Sequence, residues 1–135
     1  MKGPKPVRIL VVEDNEANRN LLLETLDLFG YAADVAPDGH QALEKIAAQR
    51  YDLIFMDYRM PRLDGLETSR RIRSMERDTD QPPARIVALT ANAMVGDRER
   101  CLAAGMDEYM AKPIDLMALK ALVERLLAED SSAGI

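Results

Sequence analysis

The chain has 135 residues, 47% of them apolar and 30% charged, with a formal net charge of -5. That length suits one domain, and the composition allows a core and a solvated surface while excluding disorder over most of the chain. The negative sign argues against direct nucleic-acid binding, and no apolar run nears the roughly 20 residues needed to cross a bilayer, so no direct membrane contact is expected.

The start, Met1-Lys2-Gly3-Pro4-Lys5-Pro6, lacks the apolar stretch of a secretion leader. The single cysteine, Cys101, cannot form an internal disulfide and reads as a structural thiol within a helix. Both features lead to the expectation of a cytoplasmic protein.

In chain order the pattern alternates between strand and helix. Val7 to Val12 reads as a strand, and Asn15 to Phe29 as a helix stopped by Gly30. Tyr31 to Ala36 is a second strand, and Asp38 to Gln49 a helix that starts after Pro37. Asp52 to Met56 is a third strand; Leu66 to Met75 is a helix that follows the turn at Asp64-Gly65. Residues 77–83 are polar with two prolines and read as a surface loop. Arg85 to Leu89 is a fourth strand, Ala93 to Ala104 a helix closed by Gly105, Glu108 to Ala111 a weaker fifth strand, and Asp115 to Ala128 a last helix capped by Asp115. The first, third and fourth strands are rich in Val, Ile and Leu without polar alternation, as strands covered on both faces are. Five strand-helix units predict an open, doubly wound α/β sheet. The domain is expected over 7–128, with flexible ends at 1–6 and 129–135.

Four strands run into polar residues: Glu13-Asp14, Asp57, Thr90, and Lys112-Pro113. In a parallel sheet these tips share one edge, the edge at which open α/β sheets bind ligands. Carboxylates gathered there repel, by about 4 kcal/mol for two charges about 4 Å apart at an effective dielectric of 20. Such a cluster holds a cation or shifts its pKa values. Hard oxygen donors without Cys or a nearby His favour Mg²⁺, which takes one or two carboxylates plus a phosphate. A carboxylate can also serve as nucleophile and form an aspartyl phosphate, with Lys112 and the Thr90 hydroxyl neutralising phosphoryl oxygens.

Glu13-Asp14, Met56-Asp57, Met60-Pro61, Asp64-Gly65, Thr90-Ala91 and Lys112-Pro113, in this order from about Val7 to Ala128, resemble the signature set of response-regulator receiver domains. The stretches Ala88 to Met94 and Gly105 to Ile114 are similar to those of receivers attached to hybrid histidine kinases. The resemblance implies a flavodoxin-like five-stranded sheet in the order 2-1-3-4-5 with five helices. It implies that Asp57 accepts a phosphoryl group from a histidine kinase or histidine phosphotransfer protein. Asp14 and Asp57 would bind Mg²⁺ directly, Glu13 through water, and the Arg59 backbone carbonyl would be a further ligand. Thr90 would close on the phosphoryl group, Lys112 would pair with it, the Lys112-Pro113 bond would be cis, and Tyr109 would turn inward. The rearranged face would be that of the fourth helix, fifth strand and fifth helix, and a homodimer on activation is compatible with it. Arg59 and Asn92 occupy the positions that tune phosphate lifetime.

Each residue also has a plain structural reading. Glu13 and Asp14 could offset a helix dipole, Asp57 could sit in a turn, and Thr90 could cap a helix. Those readings leave the shared edge unexplained. A phosphatase with an aspartyl-phosphate intermediate is disfavoured because Arg59 stands where such enzymes place a second Asp. A pseudo-receiver, which keeps the fold as an interaction module without phosphorylation, is the alternative. The methionines read as core filler and loop residues, and His40 as a surface residue. Of the adjacent Leu21, Leu22 and Leu23 one must be partly exposed, and Leu22 is the docking candidate on the first helix.

Overall fold

The computed structural model describes residues 7–58, 60, 62–79, 82–90, 95–112 and 114–133, with 95–97 and 129–133 described by backbone alone. Among these residues strands and helices alternate: β1 (Ile9–Val12), α1 (Glu16–Leu28), β2 (Ala33–Ala36), α2 (Gly39–Ala48), β3 (Leu53–Asp57), α3 (Gly65–Arg77), β4 (Arg85–Thr90), α4 (Val95–Ala103), β5 (Glu108–Ala111) and α5 (Leu116–Ala133). All strand pairs are parallel, in the order β2-β1-β3-β4-β5. This is the doubly wound sheet and the strand order expected. The order reverses at β1, which lies between β2 and β3.

The unalternated apolar runs follow from a sheet covered on both faces. Leu10, Val12, Ile54, Met56, Ile86 and Ala88 pack with Ala42 of α2, Ile72 of α3 and Cys101 of α4. The intervening residues Ile9, Val11, Leu53, Phe55, Val87 and Leu89 pack with Leu22 and Leu26 of α1 and Leu119, Val123 and Leu126 of α5. Successive side chains of one strand therefore enter two different cores, and both must be apolar. The outer strands β2 and β5 are less buried, which is why their sequence signal is weaker.

Helix starts are set by side-chain caps. Asn15, Asp38 and Asp64 each accept a hydrogen bond from the backbone N–H three residues on, at 2.9, 2.8 and 2.8 Å. Asp115 caps α5 through the N–H of Met117 at 2.9 Å. Gly30 and Gly105, with φ of 89° and 96°, close α1 and α4 in the left-handed region. Helix α5 continues to Ala133, past the expected end at Ala128. Nothing between Glu129 and Ala133 breaks a helix, and the next breaker in the sequence is Gly134. No described helix is long and apolar enough to cross a membrane.

One leucine of the triplet is exposed, as expected, but it is not the docking candidate. Leu22 is 2% exposed in the core, while Leu21 is 53% exposed. Residues are about 100° apart around a helix, so three neighbours cannot all face inward; Leu23 packs partly buried against the same cluster as Leu22, and Leu21 faces out. Leu26, one turn on, is fully buried and selects Leu22. Leu22 is therefore no docking residue, and the exposed leucine is Leu21. Leu22→Ala should cost roughly 2–5 kcal/mol, whereas Leu21→Ala should stay within about 0.5 kcal/mol. Urea midpoints of the two variants check this, and equal losses would contradict the assignment.

Candidate functional site

The parallel register carries the polar residues to one edge. Val12 pairs with Met56 and with Ala36, so Glu13 and Asp57 stand one step further on adjacent strands. The Glu13 N–H donates to the Ala36 carbonyl at 3.1 Å, which extends the sheet pattern, and the residue is buried. Asp57 pairs with Leu89 of β4, and Thr90 follows Leu89. The Lys112 N–H donates to the Thr90 carbonyl at 2.7 Å, just past β5. Glu13, Asp57, Thr90 and Lys112 thus end four neighbouring strands, as the sequence pattern predicts.

The side chains converge. Carboxylate oxygens of Glu13, Asp14 and Asp57 lie within 4.8 Å of one another. Lys112 Nζ donates to Glu13 Oε1 at 2.8 Å and to Asp57 Oδ1 at 3.2 Å. Glu13 Oε2 accepts the Asn15 N–H at 3.2 Å, and the Glu13 carbonyl accepts Arg19 Nη1 at 3.0 Å. Asp57 and Thr90 are buried, Lys112 is half-buried, and Asp14 is exposed.

One ammonium facing three carboxylates leaves a deficit of positive charge, and each like-charged pair costs roughly 3–4 kcal/mol at this range. The response is visible in Asp57. Burial first, and then the hydrogen bond and charge of Glu13, push its carboxyl up to about 8, with Lys112 opposing. Burial alone would lower Lys112, but hydrogen bonding and charge from Glu13 and Asp57 outweigh it and raise the ammonium. A cluster of hard oxygen donors with excess negative charge can hold a metal ion.

The floor of the site depends on a close backbone approach. The Gly65 N–H donates to the Tyr58 carbonyl at 3.2 Å, and a Cβ at position 65 would lie 2.2 Å from the Asp57 carbonyl oxygen. Only glycine lets α3 start against the backbone of Asp57.

Of the remaining expected residues, Tyr109 is half-buried against the core. His40 is exposed on α2, and Cys101 is buried. Arg59, with its carbonyl, Asn92 and the Pro113 side of the Lys112-Pro113 bond lie outside the described residues. The sequence reading missed Arg19, whose only signal is a cation in the opening turns of a helix. It also missed the Glu13–Lys112 pair, which spans 99 residues and leaves no local trace.

Comparison with known proteins supplies the family. Residues 9–124 match the family model described as the response regulator receiver domain. The chain is 40% identical over 87% of its length to hybrid signal transduction histidine kinase K of Dictyostelium discoideum, and it spans 10% of that protein. The receiver domain of a sensor histidine kinase from Pseudomonas aeruginosa, with a magnesium ion coordinated in its active-site cleft, is 41% identical with a TM-score of 0.80, covering 92% of this chain and 99% of that one. The Saccharomyces cerevisiae receiver domain of Ssk1, in a co-crystal with the histidine phosphotransfer protein Ypd1, is 32% identical with a TM-score of 0.80, covering 88% and 87%.

The Asp57 carboxyl binds its proton more tightly in the folded, metal-free protein than in the unfolded chain, about 8 against 3.8. Its contribution to stability is therefore complete below about 3.8 and is lost as pH rises through about 8. In EDTA, the urea midpoint of the wild type should fall relative to that of Asp57→Asn between pH 5 and pH 8. A constant difference between the two proteins across that range would contradict the shift.

Proposed function

Because the chain belongs to the response-regulator receiver family, we propose that it is a phosphoacceptor switch in which Asp57 takes a phosphoryl group from a phosphohistidine donor. It is a receiver domain of two-component signalling, and the finer chemistry is read from its own residues. The observation that carries this reading is the convergence of Glu13, Asp14 and Asp57 with Lys112 at the carboxyl edge of the sheet.

In the proposed transfer, an Asp57 carboxylate oxygen attacks phosphorus in line. The O–P bond forms as the P–N bond to the donor imidazole breaks, and the imidazole keeps the electron pair and takes a proton from solvent. Asp14 and Asp57 would hold Mg²⁺, with Glu13 reaching it through water and the Arg59 carbonyl adding a ligand. The bound ion would neutralise charge on the phosphoryl oxygens. Lys112, already beside Asp57 Oδ1 at 3.2 Å, moves a short way to a phosphoryl oxygen. Thr90 ends the strand next to Asp57 and closes on the group with its hydroxyl. Tyr109 then turns inward and changes the face made by α4, β5 and α5, so a local charge event biases a two-state element.

The donor is a histidine kinase or a histidine phosphotransfer protein, a class supported by the likeness to a receiver crystallised with the latter.

Incubation with acetyl phosphate and Mg²⁺ should add one phosphate by intact mass, and the adduct should be lost in Asp57→Asn and on chelation with EDTA. No adduct on the wild type would instead favour the pseudo-receiver. Arg59→Ala should speed loss of the phosphate, because the long side chain hinders the attacking water. An unchanged or slower decay would remove Arg59 from that role.

A further inference from the structure

We propose that Arg19 is a positioning residue for the cation site, pinning the Glu13-Asp14 peptide so that the Asp14 carboxylate stays within coordinating reach of Asp57. This rests on the receiver function above, and deepens it.

Arg19 stands where helix electrostatics oppose it. It lies in the opening turns of α1, near the end that carries partial positive charge. A cation there is disfavoured by the helix dipole. A helical side chain sweeps back toward the N-terminus. Arg19 does so, and its Nη1 reaches over the first turn to the Glu13 carbonyl at 3.0 Å. A charge-assisted hydrogen bond of this kind more than offsets the dipole. A local rule is broken, and the gain falls on one peptide group at the site.

With Arg19 included, every polar group of Glu13 is held. Its N–H goes to the Ala36 carbonyl and its carboxylate receives the Asn15 N–H and Lys112 Nζ. Its carbonyl receives Arg19. The carbonyl belongs to the peptide that leads into Asp14, whose side chain is exposed. Rotation of that peptide would swing the Asp14 carboxylate away from Asp57. Of the four contacts, the one from Arg19 acts on this peptide directly.

Charge and geometry predict opposite signs for the loss of Arg19. Removing a positive charge near the carboxylates, held at the Glu13 carbonyl, should tighten Mg²⁺ binding. Releasing the turn should weaken it. Positioning dominates, because loss of an outer hydrogen-bond partner commonly costs a metal site about 10–100-fold in affinity.

The test is calorimetric titration of the unphosphorylated, full chain with Mg²⁺, for wild type, Arg19→Met and Arg19→Lys. Arg19→Met should weaken binding about tenfold, the lower end of that range. Arg19→Lys, which keeps a donor and the charge, should recover most of the loss. In the metal-free variant Arg19→Met the amide signals of Glu13 and Asp14 should shift or broaden while those of Leu22 and Leu26 stay in place. Unchanged or tighter binding overturns the proposal. If Arg19→Met fails to fold, Arg19→Gln, neutral and too short to reach the carbonyl, should show the same weakening, and wild-type affinity in it overturns the proposal. A wild type that binds Mg²⁺ and forms the acetyl phosphate adduct, while Arg19→Met binds equally well, sinks the positioning role alone. A wild type that binds no Mg²⁺ sinks both readings.

Discussion

Three carboxylates, two of them buried, share a few ångströms of the sheet edge with one ammonium group, and most of the molecule serves to keep them there. Lys112 bridges Glu13 and Asp57 at 2.8 and 3.2 Å, yet a single positive charge does not balance three acids. Burial, and behind it the hydrogen bond and charge of Glu13, push the Asp57 carboxyl up to about 8. A fold that concentrates charge in this way stores affinity for a cation, because the binding of one relieves repulsion that the backbone does not allow the acids to escape. The same arrangement prepares for an incoming phosphoryl group, whose oxygens need the ammonium and the cation together.

The backbone can hold this strain because the strands beneath are locked on both faces. Residues of β1, β3 and β4 alternate between two apolar clusters, one against α2, α3 and α4, the other against α1 and α5. A shift of one residue in any of these strands would exchange its two faces and move its terminal acid along the edge. The close contact between Gly65 and the Asp57 carbonyl adds a further stop on the α3 side. Position at the edge is thus set by packing well below it.

Polar networks reinforce the regions away from the chemistry. Arg73 of α3 donates to the carbonyls of Gly105 and Ala84 and to the carboxylates of Glu76 and Asp107, while Asp107 also accepts the Ile86 N–H. At the start of β3, Tyr51 and Gln49 share the Asp34 carboxylate, and Arg8 donates to Gln49. These groups are paired within the fold, in contrast to the carboxylates at the opposite edge, whose charge is left in excess. The difference separates a polar cluster that closes on itself from one arranged to receive a ligand.

By itself the sequence determined the alternation of strand and helix, the cap at Asp115, the helix stops at Gly30 and Gly105, and the presence of Glu13, Asp14, Asp57, Thr90 and Lys112 at strand ends. These are legible because they are local: period, capping chemistry and helix stops are written within a few residues. Only the tertiary structure decided which of three adjacent leucines is left exposed, since that depends on the rotation of α1 against the sheet. It alone paired Lys112 with Glu13 across 99 residues and aimed Arg19 at the Glu13 carbonyl. Short-range pattern encodes which elements form, whereas the distances among their side chains arise only when two cores pack at once and fix every strand against its neighbours.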